Sequence, residues 1–306
     1  PEERKINEIN AGIYCFDTAS VFSALAKVKD DNIQGEYYLT DVVKILYQEG
    51  KEVIAYRLED PTELQGINDR RQLAQAQQIM QQRIIEGLMV EGVTFINPDT
   101  CTVDHGVRIG RDTVIYPGVI LEGSTKIGRG CTIIGPCRIK DSELGDSCEI
   151  IMSQIDECML GEGVKVGPYS NLRPGCILAN KVKVGDFVEL KNAKVDEGTK
   201  IPHLSYVGDA VLGKNINIGA GVIFVNYDGY NKHQTLVEDN AFVGCNSNLV
   251  APVTVRAGSF VAAGSTITKE VPEDALAIAR ARQENKLEWA KKRRNKFKGG
   301  TNGNGK

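Results

Sequence analysis

From about residue 107 to 267 the sequence repeats itself every six residues, and no other feature narrows the fold so far. An aliphatic residue opens each hexad at Ile109, Ile115, Leu121, Ile127, Ile133 and Ile139. The frame returns at Leu160, Val166, Leu172 and Leu178, at Val184 and Leu190, and at Leu212 and Ile218. It resumes at Val237, Val243, Leu249, Val255, Val261 and Ile267. A period of six is neither that of a helix nor that of a simple strand. It describes a triangular coil, three short strands to a turn and about 18 residues per coil. The leading aliphatics point inward and stack, and the coils pair as parallel strands roughly 4.8 Å apart. Gly often follows the aliphatic, and its role is expected to be conformational freedom at the corners. The fold class is therefore mainly β, a left-handed parallel β-helix of the hexapeptide kind.

The flanks do not repeat. Residues 1–68 read as a piece of α/β structure. Ala11 to Phe16 and Val53 to Leu58 are expected strands, and Thr18 and Thr40 are expected helix caps. Residues 69–92 read as a linker helix, with Asp69 and Gln72 as a capping box and Gly87 as its end. The coil domain is assigned to 93–272, ending at Pro272, with a polar and aromatic insertion at 224–236. Frame slips are expected near Asp141, Ile155 and Asp196. Residues 273–306 hold a basic helix over 284–297 and a low-complexity tail expected to be disordered.

Composition excludes little but does so usefully. The net charge of −3 gives no footprint for nucleic acid, and no apolar run is long enough to span a membrane. The N-terminal Pro1 to Lys5 does not read as a signal peptide. The basic helix reads as solvated rather than as a polyanion site. None of the eight Cys forms a CxxC. Cys131, Cys137 and Cys148 fall at small-residue positions of the hexads and read as core filler. A reduced, cytoplasmic protein is expected.

An 18-residue coil predicts which side chains stack. Arg173 and Lys191 each follow an inward Leu and lie 18 apart, one coil above the other. Two cations so close repel, and a phosphate between them would reverse that penalty. Lys165 and Lys183 share the spacing, so spacing alone leaves the clamp open. Of three histidines, His105 precedes the first good hexad and His233 lies in the polar insertion, while His203 is expected near Tyr206, Asn217 and that insertion, which makes it the candidate general base. The three are too dispersed for zinc. Neither a GxSxG elbow nor a GxxxxGK[ST] loop is present. Direct transfer with a base and a polarising donor needs neither.

At several runs the chain resembles one family closely. These are Gly167 to Gly175, Val184 to Lys191, His203 to Gly208, Asn217 to Gly221, Asn226 to Gly229, Phe242 to Gly244, Leu249 to Val253 and Ala262 to Ser265. The family is the bacterial bifunctional N-acetylglucosamine-1-phosphate uridyltransferase/glucosamine-1-phosphate N-acetyltransferase. It makes UDP-N-acetylglucosamine, a precursor of the peptidoglycan cell wall. The resemblance implies acetyl transfer from acetyl-CoA to the amine of glucosamine 1-phosphate, at sites between the subunits of a homotrimer. It makes Arg173 and Lys191 ligands of the sugar phosphate, His203 the base, and Tyr206, Asn217 and Asn226 sugar contacts. It assigns Ala220, Asn226, Tyr227, Cys245, Ala263 and Arg280 to acetyl-CoA, with the Ala220 N–H on the thioester oxygen.

Two departures stand out. Cys245 replaces the family's Ser, and Ile201-Pro202 replaces Ala-Gly before the base, where Pro restricts the local backbone. Residues 1–68 resemble the rear of the nucleotidyltransferase domain, with Asn68 matching a metal ligand and Asn10 a sugar contact. The Gly-rich nucleotide loop and metal-binding Asp of that domain are not in this sequence. No uridyltransferase activity is therefore expected of this chain. Mg would serve only that reaction, and acetyl transfer is expected to need no metal. The competing readings are a silent trimeric scaffold for a separately supplied nucleotidyltransferase domain and an acyltransferase on another amino sugar. A γ-type carbonic anhydrase shares the coil, but its histidine spacing does not fit.

Overall fold

A computed structural model describes residues 8–299. Pro1 to Lys5 and the tail from Gly300 lie outside them, and the readings made there with them. The chain forms two compact units that divide between Ile79 and Met80.

The first unit is small and helical. Helix α1 spans Thr18–Leu25 and α2 spans Leu39–Gln48. Ala24, Val42 and Leu46 are its buried core, with Phe16, Val21, Val28 and Ile45 packed against them. Both expected caps move. Asp17, not Thr18, caps α1, its carboxylate accepting from the Ser20 N–H at 2.9 Å. Helix α2 starts after Tyr38 without a side-chain cap, which puts Thr40 inside it. Ala11 to Phe16 and Val53 to Leu58 are not strands. A strand needs a neighbour for its N–H and C=O groups, and neither segment finds one. Ile13, Ile54 and Tyr56 stand exposed on them.

Helix α3 spans Arg70–Val90. Asp69 accepts from the N–H groups of Arg71 and Gln72, and the Gln72 side chain accepts from the N–H of Asn68, which completes the expected start. Gly87 does not end the helix. Ile85 and Leu88 are buried in the coil's core, so the helix runs on until Gly92 turns the chain at φ +100°. Earlier on the same helix, the Gln81 amide accepts from Val103 N–H and donates to Val103 C=O, covering open backbone at the edge of the first coil.

The rest is a left-handed parallel β-helix. One face is an 11-stranded sheet running from Thr94–Phe95 to Leu276–Ala277, so the coil extends past Pro272. The other two faces form one 17-stranded sheet, joined where Glu189–Val195 and Tyr206–Leu212 bend round a corner. Every hexad-leading aliphatic named above is buried, in one continuous core. Leu121 lies over Ile139 and Leu172 over Leu190 in the expected 18-residue register. The frame slips are coils one or two residues shorter, as between Ile139 and Ile155 or Val184 and Ile201. Six cysteines, including Cys131, Cys137 and Cys148, are buried inside the coil, and all eight are free.

The Gly after the inward aliphatic works differently from expectation. Gly110, Gly219 and Gly244 do not have positive φ. A Cβ on any of them would lie 2.5–2.7 Å from backbone of the next coil. Close stacking, not corner geometry, requires glycine there. The left-handed corners are held as readily by Asp112, Asn192 and Asn246 as by Gly.

The insertion is shorter than expected. Phe224 is fully buried and stacks with Leu249, so it belongs to the core. The loop itself lies between Ile223–Val225 and Thr235–Val237. At the far end, helix α4 spans Trp289–Gly299 rather than starting at 284, because Glu288 sits in the left-handed region at φ +57°. Arg293 stacks on Trp289 and Phe297 along it. No helix among the described residues is long and apolar enough to cross a membrane.

Candidate active site

The residues singled out from sequence fall largely into two sets. The first is built on the second face of the coil. Arg173 and Lys191 follow the stacked Leu172 and Leu190, so the ladder places them one coil apart. The Arg173 guanidinium donates to Glu189 Oε1 at 3.0 Å. Lys191 has a neighbour that spacing could not show, Lys232 from the loop. Lys232 first of all, with Arg173 also facing it, pushes the Lys191 ammonium below the ordinary lysine range against the pull of Asp209. Three cations thus converge where a six-residue frame foretold two.

Asp209 organises their surroundings. It accepts from the Asn192 amide at 2.7 Å and from the Asn226 amide at 2.6 Å. Partial burial pushes its carboxyl up, but the two amides and the Lys191 and Lys232 charges outweigh that and hold it below the usual range. Asn226 is buried, at 8 % exposure, and its amide also faces the Tyr206 hydroxyl at 3.5 Å. Gly208, the ladder partner of Lys191, makes room for both. A Cβ there would lie 2.4 Å from Tyr206 Oη and 2.8 Å from Asn226 Nδ2.

The loop that carries Lys232 is tightly folded. Tyr227 bridges to Lys232, and the Tyr227 hydroxyl donates to Gly229 C=O at 2.6 Å. Asp228 accepts from the N–H groups of Tyr230 and Asn231 and from His233 Nε2 at 2.7 Å. The Asn231 N–H, then His233, then the Tyr230 N–H hold its carboxyl far below the ordinary range.

The second set lies along the corner that follows the 11-stranded face. Asp186, His203, Ala220, Cys245 and Ala263 occupy it on successive coils. Leu204 N–H donates to Asp186 C=O, Gly221 N–H to His203 C=O, Asn246 N–H to Ala220 C=O and Gly264 N–H to Cys245 C=O. Arg280 lies against Gly264 beyond them. His203 ends the strand Lys200–His203, which is in frame, with Ile201 fully buried. Pro202 therefore sits in a strand, its carbonyl pressed against Gly185 of the coil below. His203 pairs with Asp186 in the ladder, and its Nδ1 lies 2.5 Å from Asp186 Oδ1. His203, and then the Asp186 backbone N–H, hold that carboxyl below its usual value. Asn217 is the ladder partner of Lys200 one coil above.

The structure thus gathers Arg173, Lys191, Tyr206 and Asn226 in one set, and His203, Ala220, Cys245, Ala263 and Arg280 in the other. Lys232, Asp209 and Asp186 were not singled out from sequence. Asp186 precedes His203 by 17 residues, one short coil, and counting that register would have found it. His105 is exposed in the first coil, between the strands Thr102–Val103 and Arg108–Ile109, and His233 serves the loop. Asn10 and Asn68 belong to the first unit, where Asn10 bonds Tyr14 and Gly12. Among the described residues, no group of three or more His, Cys, Asp or Glu could hold a metal ion.

With the site in place, comparison with known proteins is specific. The bifunctional protein GlmU of Listeria monocytogenes is 53 % identical over 290 residues, 95 % of this chain and 64 % of its own length. The chain is a homologue of GlmU. GlmU of Brevibacillus brevis is 51 % identical over 290 residues, and GlmU of Alkaliphilus metalliredigens 50 % over 287. The chain spans just under two thirds of the length of these GlmU proteins. Residues 84–195 also match the family model of the GMPPB C-terminal domain. Among solved structures, a UDP-N-acetylglucosamine acyltransferase from Francisella novicida aligns over 59 % of this chain and 65 % of its own. That alignment has 16 % identity and a TM-score of 0.42.

Proposed function

We propose that this chain transfers the acetyl group of acetyl-CoA to the amine of glucosamine 1-phosphate, giving N-acetylglucosamine 1-phosphate. The observation that carries the reading is the cluster of Arg173, Lys191 and Lys232 around a buried, hydrogen-bonded Asn226. Three cations with two carboxylates beside them, Glu189 on Arg173 and Asp209 near Lys191 and Lys232, favour an acceptor that brings its own negative charge. A neutral amino sugar would leave their repulsion uncompensated.

The chemistry asks little else of the protein. Arg173, Lys191 and Lys232 bind the sugar phosphate, and Tyr206, Asn217 and Asn226 orient the ring. His203 accepts a proton from the amine as its nitrogen attacks the thioester carbonyl. The Ala220 N–H donates to the oxyanion that forms on the carbonyl oxygen. As the carbon–sulfur bond breaks, the imidazolium returns the proton to the leaving thiolate. Ala220, Cys245, Ala263 and Arg280, stacked along one corner with Asn226 and Tyr227 beside the loop, form the track for the coenzyme. Attack on a thioester needs no Lewis acid, so EDTA leaves the rate unchanged. Sites completed between the subunits of a homotrimer, and a cytoplasmic setting, belong to the same proposal.

The test is thiol release from acetyl-CoA with glucosamine 1-phosphate or free glucosamine as acceptor, beside His203→Ala. Turnover that requires the phosphate and collapses in the variant supports the whole reading. Equal turnover with free glucosamine would remove the cation cluster from substrate binding. No turnover by an intact oligomer would favour a scaffold.

A further inference from the structure

We infer that Asp186 is the positioning residue of the proposed base: it holds His203 with its proton on Nδ1, leaving Nε2 as the nitrogen that accepts the proton from the acceptor amine. The inference deepens the acetyltransfer reading and rests on it for the identity of the acceptor. The pairing itself rests on geometry.

Three observations carry it. Asp186 and His203 are register partners in adjacent parallel strands, so the ladder fixes their backbones side by side. The contact is made by Nδ1, at 2.5 Å from Asp186 Oδ1. A carboxylate only accepts a hydrogen bond, so Nδ1 must be the donor. Third, His203 is 55 % exposed in its side chain, and no other hydrogen bond engages the ring among the described residues. Nε2 therefore keeps its lone pair free for a substrate.

The charges around the ring are few. The strand below supplies Lys183 and Asp186, its own strand Lys200, and the strand above, Asn217–Ile218, nothing titratable. Asp186 is the group in contact. Its charge stabilises the imidazolium that forms as the amine loses its proton, and its acceptor atom selects the tautomer. A carboxylate–imidazole pair of this kind requires no metal and no covalent intermediate. One proton moves from the amine to Nε2 while the Nδ1 proton stays hydrogen-bonded to Asp186.

The experiment uses the whole chain with 15N-labelled histidine. Long-range 1H–15N spectra give the tautomer of His203, assigned by its loss in His203→Gln. The expected result is the Nδ1–H tautomer in the native protein. In Asp186→Asn the Nδ1–H preference should be lost, because an amide donates as readily as it accepts. In the thiol-release assay the same variant should lose about 10- to 100-fold in kcat with both KM values within twofold. Asp186→Glu should recover part of the rate. A native Nε2–H tautomer, or an unchanged Nδ1–H preference in Asp186→Asn, would overturn the inference. The expected tautomer, and its loss in Asp186→Asn, in a protein without turnover would instead refute acetyl transfer and leave the pair standing.

Discussion

Gly185→Ala tests whether coil stacking sets the geometry of the site. Gly185 is buried directly beneath Pro202, and a Cβ there would lie 1.8 Å from the Pro202 carbonyl oxygen and 2.7 Å from its carbon. Real Cβ contacts stay above 3.0 Å, so the coils must part locally by about 1.2 Å. The atom in the way is backbone, which cannot swing aside as a long side chain would. Two inter-coil bonds flank the contact, Lys183 N–H to Thr199 C=O and Leu204 N–H to Asp186 C=O, both 3.0 Å. Lengthened past 4 Å they no longer count as hydrogen bonds. At about 0.5–1.5 kcal/mol each, the loss is about 1–3 kcal/mol. The same movement separates His203 from Asp186, and a 1 Å misplacement of a reacting group can cost about 100-fold in rate. The assay pairs kcat for thiol release with urea unfolding. Gly87→Ala is the control, because a Cβ at that helical position meets nothing within 4 Å. A Gly185→Ala protein with native kcat and native unfolding midpoint would refute the argument.

The other predictions probe other parts of the molecule. Gly87→Ala itself should raise stability by about 1 kcal/mol from helix propensity alone, read by urea unfolding with activity unchanged. Leu190→Ala, at a fully buried position between Leu172 and Val207, should lower stability by about 2–5 kcal/mol in the same measurement. Lys232→Ala should raise KM for glucosamine 1-phosphate about tenfold and leave that for free glucosamine unchanged, an effect that shrinks in high salt. The Asp228 carboxyl lies below its ordinary value in the folded loop. Its contribution is therefore complete above the unfolded carboxyl pKa and is lost as pH falls through the lowered folded value. Amide spectra should show Tyr230 and Asn231 protected from pH 7 down to about pH 4 and released only in stronger acid, while Asp228→Asn abolishes that acid transition.

Much of the site was legible because a β-helix converts sequence spacing into spatial adjacency. Arg173 and Lys191 could be paired from an 18-residue count, and the ladder through Leu172 and Leu190 places them so. The count failed where coils are shorter. Asp186 and His203 are 17 apart, and a strict 18 would have matched His203 with Gly185. Lys232 was illegible for a different reason. It lies on a loop outside the repeat, and its approach to Lys191 depends on the turn made by Asp228, Tyr230 and Asn231.

By itself the sequence determined the coil. A six-residue period of aliphatic side chains has one economical way to bury itself, and local pattern suffices to express it. It could not determine the paired states of residues whose partners lie elsewhere. Ala11 to Phe16 and Val53 to Leu58 have strand-like composition, but backbone pairing is a tertiary matter and neither is a strand. Tertiary structure also decided why glycine follows the inward aliphatic. The backbone angle there is ordinary, and only the next coil, lying within 3 Å of where a Cβ would be, excludes every larger residue.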